Sequence, residues 1–278
     1  MAKSKSRLRK FFALVWESDI HGLASEISFT FLLTLFPLLV VFVSLLGLIQ
    51  DPKTINLITD QLGKVLPQPI FQPIEKSVEN LTNVKDYKLI ALSLLISFAS
   101  SLSIFGAVIK SLRSISFITE KIGFIKAQWM SLRMMLVSGI LIVIYFYVSY
   151  GLYLFEKYLY SSFKFTLFRK NPEIFLAVIT FFVVTSLFSF YYSYATSRRT
   201  SILKSLPGAI FAALLWIPLT FGFQYYLKLK NVGVNYALAY YLLSKMVVLM
   251  LYAYINSTFF LWGYAWNQTR NDIGKETK

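Results

Sequence analysis

The chain carries one histidine, no cysteine and 13 carboxylates in 278 residues, and that inventory narrows the chemistry before any fold is considered. His21 has Asp19 two residues before it and Glu26 five after, so an imidazole and two acids come close in sequence there. A hydrolytic metal centre draws three or more ligands from His, Cys, Asp and Glu, and needs a group to activate water. No second His exists to join the first. A Cys nucleophile is excluded by composition, and a Ser–His–acid triad would have to be built on His21. No glycine-rich phosphate loop of the Walker or dinucleotide type occurs. The expectation is a protein that is not an enzyme, with no catalytic residues, no metal and no cofactor.

Polar residues embedded in apolar sequence are more informative, because they are costly in lipid and tend to face the interior of a helix bundle. Ser25-Glu26-Ile27-Ser28-Phe29-Thr30 opens one apolar stretch, which continues to Thr34 and Pro37. Glu26, Thr30, Thr34 and Pro37 step by four, four and three, which stacks them on one helical face. Such a face reads as helix–helix glue or as the wall of a polar cavity. Glue is the better reading for the threonines, while Glu26 stands evenly between the two and can snorkel to water. Pro37 should kink its helix, since its ring clashes with the carbonyl four residues back. Ser97 and Ser101 lie in a serine-rich stretch at a spacing that lets a neighbouring helix approach closely. Gly208 and Ala212 repeat that spacing just after Pro207, and Pro218 follows. Asn256 sits beside Ser257 and Thr258 deep in the last stretch, which ends with Asn267 and Gln268, and it needs a partner or a cavity. The candidate cavity or pathway residues are Glu26, Thr30, Thr34, Pro37, Ser97, Ser101 and Asn256.

The spacing of charge supplies the elements that must hold these residues. Hydrophobic residues make up 56% of the chain and charged residues 15%, against roughly 25% charged in soluble proteins, so a water-facing globule is excluded. Six stretches contain no Asp, Glu, Lys or Arg: 27–50, 89–109, 134–155, 174–197, 205–227 and 246–269. They run 21 to 24 residues, while the next longest, 231–244, has 14. A helix rising about 1.5 Å per residue needs about 20 residues to cross the hydrocarbon, so six stretches qualify and the seventh does not. A β-barrel would show alternating runs of about ten residues, and these runs are continuous. The predicted fold class is all-α, a polytopic membrane protein of six transmembrane helices.

With six spans both termini share a side. If that side is the cytoplasm, the inside segments hold 16 of the 28 bases and 6 of the 13 acids. Lys3, Lys5, Arg7, Arg9 and Lys10 precede the first span without an acid among them, which places both termini inside. Residues 1–26 form a basic N-terminal segment, 27–269 the membrane domain and 270–278 a cytoplasmic tail. Within the first segment Leu8, Phe11, Phe12, Val15 and Trp16 make one apolar face, the pattern of an interfacial helix anchored beside anionic headgroups. The apolar piece is too short for a secretory signal. The outer loop 51–88 predicts one or two short helices on the membrane face, broken by Pro67, Pro69 and Pro73. Residues 110–133 read as an interfacial elbow. Net charge +15 is spread along span ends, which suits membrane lipids as partners and not nucleic acid.

Three segments resemble the YihY/BrkB family of bacterial inner-membrane proteins, once labelled ribonuclease BN-like. The first runs from His21-Gly22-Leu23-Ala24-Ser25-Glu26 through Thr34-Leu35-Phe36-Pro37-Leu38-Leu39. The second is Pro207-Gly208-Ala209 to Trp216, and the third ends the last span, Leu261-Trp262-Gly263-Tyr264-Ala265-Trp266-Asn267. Together with the basic start and the long first loop, the resemblance covers residues 8–268. Thr34 stands where the family usually has Ser, and Ala265 occupies the place of a family Glu, so no role of that acid carries over. The resemblance implies a six-helix protein of the bacterial plasma membrane and transport of envelope or lipid compounds. The expected function is transport of a lipid or other amphiphile. The alternative is a non-transporting protein that organises envelope machinery through protein partners, and a membrane-bound ribonuclease ranks last.

Overall fold

In the computed structural model, residues 2–48, 87–118, 120, 122–163, 172–195, 201–230 and 238–276 are described. Every regular element among them is a helix: α1 (Ala2–Glu17), α2 (Ile20–Leu48), α3 (Tyr87–Ile115), α4 (Phe124–Phe163), α5 (Pro172–Tyr194), α6 (Ile202–Lys230) and α7 (Leu238–Glu276). Five of them contain apolar stretches long enough to cross a membrane: Leu94–Ile115, Phe124–Tyr145, Ala177–Tyr194, Ile202–Phe223 and Met246–Arg270. These overlap the second to sixth spans expected from charge spacing. The first expected span lies on α2, whose described apolar stretch, Ile20–Leu35, is shorter. Only 17% to 39% of each crossing stretch is buried, so the apolar surface faces outward, as lipid requires and water would not tolerate. The chain is an all-α polytopic membrane protein.

Charge spacing marks where hydrocarbon begins, and the helices do not stop there. The 40-residue α4 begins ten residues before the expected span at 134, and α7 runs on through 270–276, expected as a tail. A helix can continue past the hydrocarbon because its backbone bonds are satisfied in any solvent. Pro37 in α2 and Pro207 and Pro218 in α6 are carried inside continuous helices. The short helices expected in 51–88 lie outside the described residues.

Two helix ends show how local chemistry sets the boundaries. Asp19, at φ 48°, caps α2: its Oδ1 accepts the Gly22 N–H at 3.2 Å and its carbonyl accepts the Leu23 N–H at 3.1 Å. At the end of α3, the Ile118 N–H bonds to the Arg113 carbonyl and the Phe117 N–H to that of Ser114, the pairing of a Schellman cap. Phe117 takes the left-handed position, φ 50°, that glycine usually fills.

Packing divides the chain into two compact units. The terminal unit comprises Met1–Leu23, Val108–Leu219 and Thr258–Lys278; the insert unit comprises Ala24–Ala107 and Thr220–Ser257. Ile20, Leu112, Ile115, Met134, Tyr192 and Leu261 form the fully buried heart of the terminal unit, with Phe188 edge-on to Phe260 at 4.9 Å. The expected apolar face of α1 is divided within this unit: Phe11 is buried against the Trp266 ring, 5.7 Å away, while Leu8, Phe12 and Trp16 remain exposed. A stripe of that width can serve a protein neighbour on one side and another apolar phase on the other.

Candidate functional site

All seven candidate residues fall in the insert unit. On α2, Thr30 Oγ1 donates to the Glu26 carbonyl at 2.8 Å, the backbone bond a helical threonine makes one turn back. Thr34 is buried, and its hydroxyl lies 2.8 Å from the Thr30 carbonyl and 3.0 Å from that of Ser100 on α3. That second contact joins two helices, the bond that the glue reading of Thr34 calls for. Glu26 and Pro37 are half-buried. On α3, Ser101 is half-buried, while Ser97 is buried with its Oγ unpaired.

On α7, half-buried Asn256 donates from Nδ2 to the Tyr252 carbonyl at 2.9 Å, within its own helix. Its Oδ1 is buried and has no partner. The Tyr252 hydroxyl in turn lies 2.9 Å from Thr220 Oγ1 on α6, and its ring stacks on Phe223 with centroids 4.4 Å apart. Thr220, Phe223 and Tyr252 were not among the residues expected from sequence. Hydroxyls and aromatics are common along these spans, and pairing across two helices leaves no local signature.

In the terminal unit Thr185 Oγ1 and Trp262 Nε1 are also buried without partners, but the polar groups around Pro207 are bonded. Asn267 is buried and grips the backbone beside Pro207 twice: Oδ1 accepts the Gly208 N–H at 2.8 Å and Nδ2 donates to the Ser205 carbonyl at 2.7 Å. Pro207 has no N–H and clashes with the preceding turn, so the side chain of a neighbouring helix serves the disturbed backbone. α6 and α7 meet backbone to backbone there, since a Cβ on Gly208 would strike the Gly263 carbonyl oxygen and the reverse holds for Gly263. Tyr192 donates to the Phe260 carbonyl at 2.6 Å, and Ser116, Tyr264 and Gln268 form a hydrogen-bonded trio. The sequence signal for this clamp was an amide at a span end and a glycine after a proline.

His21 is exposed, and its neighbour Asp19 is engaged in capping α2. Among the described residues no three His, Cys, Asp or Glu side chains gather where they could hold a metal ion.

No solved structure matches the chain. The ribonuclease-like protein YfkH of Bacillus subtilis (strain 168) is 22% identical over 267 residues, covering 93% of this chain and 92% of the relative. The sequence profile of the family described as virulence factor BrkB matches residues 11–278, from the second half of α1 through α7. This six-segment apolar chain, with its helical spans and its proline-glycine crossing, belongs to the BrkB family.

Proposed function

We propose that this protein transports a lipid or other amphiphilic envelope compound across the bacterial plasma membrane, with six spans and both termini in the cytoplasm. The observation that carries the reading is Asn256 Oδ1, a buried acceptor without a partner beside the bonded Thr220–Tyr252 hydroxyls. Ser97 Oγ is also unpaired in the same unit, and Thr185 Oγ1 and Trp262 Nε1 are unpaired in the terminal unit. Leaving such an atom unpaired costs about 1–3 kcal/mol, and alanine or leucine would avoid the cost. A scaffold gains nothing from that arrangement. A pathway does, because the polar head of a passing amphiphile needs polar atoms inside an apolar bundle. The relative's name mentions a ribonuclease, but the described residues offer neither a metal cluster nor a Cys nucleophile for that chemistry.

Reconstitution into liposomes with fluorescent phospholipid tests the reading, using wild type and the double variant Glu26→Gln with Asn256→Leu. Movement of label above empty vesicles, lost in the double variant while elution stays monodisperse, is the expected result. A well-folded wild type that moves no lipid would shift the reading to a protein that organises partners. The lack of cysteine makes orientation equally direct to test. Lys275→Cys should react with an impermeant maleimide in inverted vesicles and not in intact cells.

A further inference from the structure

Thr220 and Phe223 lie one turn apart on α6, and Tyr252 and Asn256 one turn apart on α7, so each pair shares a helical face. Three links tie the four together: the Thr220–Tyr252 hydroxyl bond at 2.9 Å, the Phe223–Tyr252 stack at 4.4 Å, and the Asn256 amide on the Tyr252 carbonyl at 2.9 Å. The last link fixes the orientation of the amide. A backbone carbonyl only accepts, so Asn256 must turn its NH2 group toward it, leaving Oδ1 as the free end. That oxygen is buried and unpaired. The cluster therefore lacks one thing, a hydrogen-bond donor.

Charge decides which donor fits. The stretches that carry the four residues, 220–227 on α6 and 246–257 on α7, contain no Lys, Arg, Asp or Glu, and Lys228 and Lys245 stand at their ends. A phosphate held beside Tyr252 and Asn256 finds no Lys or Arg on these two stretches, and an unpaired charge out of water is far costlier than a hydroxyl. We infer that Thr220, Tyr252 and Asn256 bind the uncharged, hydroxyl-bearing head of an amphiphile, a glycosyl or glyceryl group. Asn256 Oδ1 accepts a hydroxyl of the head, Tyr252 and Thr220 exchange hydrogen bonds with a second, and the Phe223–Tyr252 stack packs against its carbon skeleton. The inference rests on the transport reading, whose cargo it names.

Native mass spectrometry of the full chain in detergent tests it, with monoglucosyl diacylglycerol, diacylglycerol and phosphatidylglycerol added separately. The neutral lipids should bind about tenfold more tightly than phosphatidylglycerol, whose glyceryl hydroxyls reach the acceptor only by carrying a charged phosphate out of water. Asn256→Leu and Tyr252→Phe should each remove most of that preference while phosphatidylglycerol binding stays unchanged. Tyr252→Phe deletes a single oxygen and keeps the stack, so it decides the matter if the leucine variant folds poorly. A glucosyl lipid that outcompetes diacylglycerol assigns a sugar head; equal binding assigns the glyceryl hydroxyl. Tighter binding of phosphatidylglycerol, or a neutral preference that survives both variants, overturns the inference. The liposome assay separates the two ideas. Neutral-lipid binding without movement keeps the site and removes transport, whereas movement without this preference keeps transport and removes the site.

Discussion

In the terminal unit Asn267 commits both ends of its amide to the backbone around Pro207, whereas in the insert unit Asn256 commits only its nitrogen, to its own helix, and leaves its oxygen buried and unpaired. The same side chain, on the same helix, does two jobs. Around Asn267 the helices touch through glycine, and the nearby Tyr192, Tyr264 and Gln268 all have partners. Around Asn256 the neighbours are aromatic and hydroxylic, and bonding stops one donor short. Saturated polar groups fix one packing geometry. An unsaturated one carries a standing cost that a ligand can relieve, which is why the surroundings of Asn267 and of Asn256 invite opposite functional readings, although Thr185 Oγ1 and Trp262 Nε1 are unpaired elsewhere in the terminal unit.

The sharpest way to break this contrast is to widen the glycine crossing. Gly263→Val puts a branched side chain where even a Cβ meets the Gly208 carbonyl oxygen, Tyr192 and Ala212. Backbone cannot yield as a side-chain tip can, so the loss should reach about 4 kcal/mol, beyond the usual 1–3 for overpacking. Size-exclusion profiles in detergent should show little monodisperse protein. A variant that elutes and melts like wild type would mean the helices are not in backbone contact.

Asn267→Leu is expected next in size. It removes the two side-chain bonds to the Gly208 N–H and the Ser205 carbonyl, for about 1–3 kcal/mol of destabilisation. Thermal melting in detergent should fall by several degrees for that loss. Asn267→Asp sharpens the reading, because it keeps an acceptor for Gly208 but no donor for Ser205, and it should recover only part of the loss.

How much of this could be read from residues alone follows the same division. Membrane crossing was legible because hydrocarbon thickness forces uncharged runs of about 20 residues, a constraint no tertiary contact relaxes. Helix ends were not, since α4 and α7 extend beyond the hydrocarbon where charge gives no warning. The face of Glu26, Thr30, Thr34 and Pro37 was legible as a periodicity, but its meaning depended on where the hydroxyls bond. Thr30 bonds to its own helix and Thr34 reaches α3, and neither choice is written in the spacing. The Gly208–Gly263 crossing was half visible, since the small-xxx-small pattern names one helix and cannot name its partner. Tyr252 and Thr220 stayed hidden because a pair across two helices has no sequence period at all.

A milder test stays within the insert unit. Thr34→Val keeps shape and deletes the hydroxyl shared between Thr30 and Ser100. Interhelical hydrogen bonds in membrane proteins average about 0.6 kcal/mol, so the melting temperature should drop by a degree or two. If Thr34 is glue, as its bond to Ser100 argues, lipid movement should survive the change. Lost movement with unchanged melting would return Thr34 to the pathway.

The smallest expected effect carries the most weight for the comparison. Ser97 is buried, its hydroxyl has no partner, and its position favours a small residue. Ser97→Ala removes an oxygen that bonds to nothing, keeps the close approach of helices, and relieves a desolvation cost. Its effect on melting should be zero or slightly stabilising, within about 0.5 kcal/mol. A fall of 1 kcal/mol or more would mean that the hydroxyl is satisfied in the membrane, and the surroundings of Ser97 would then resemble those of Asn267. If melting is unchanged while lipid movement slows, the oxygen is there for something that passes, since folding alone gives no reason to keep it.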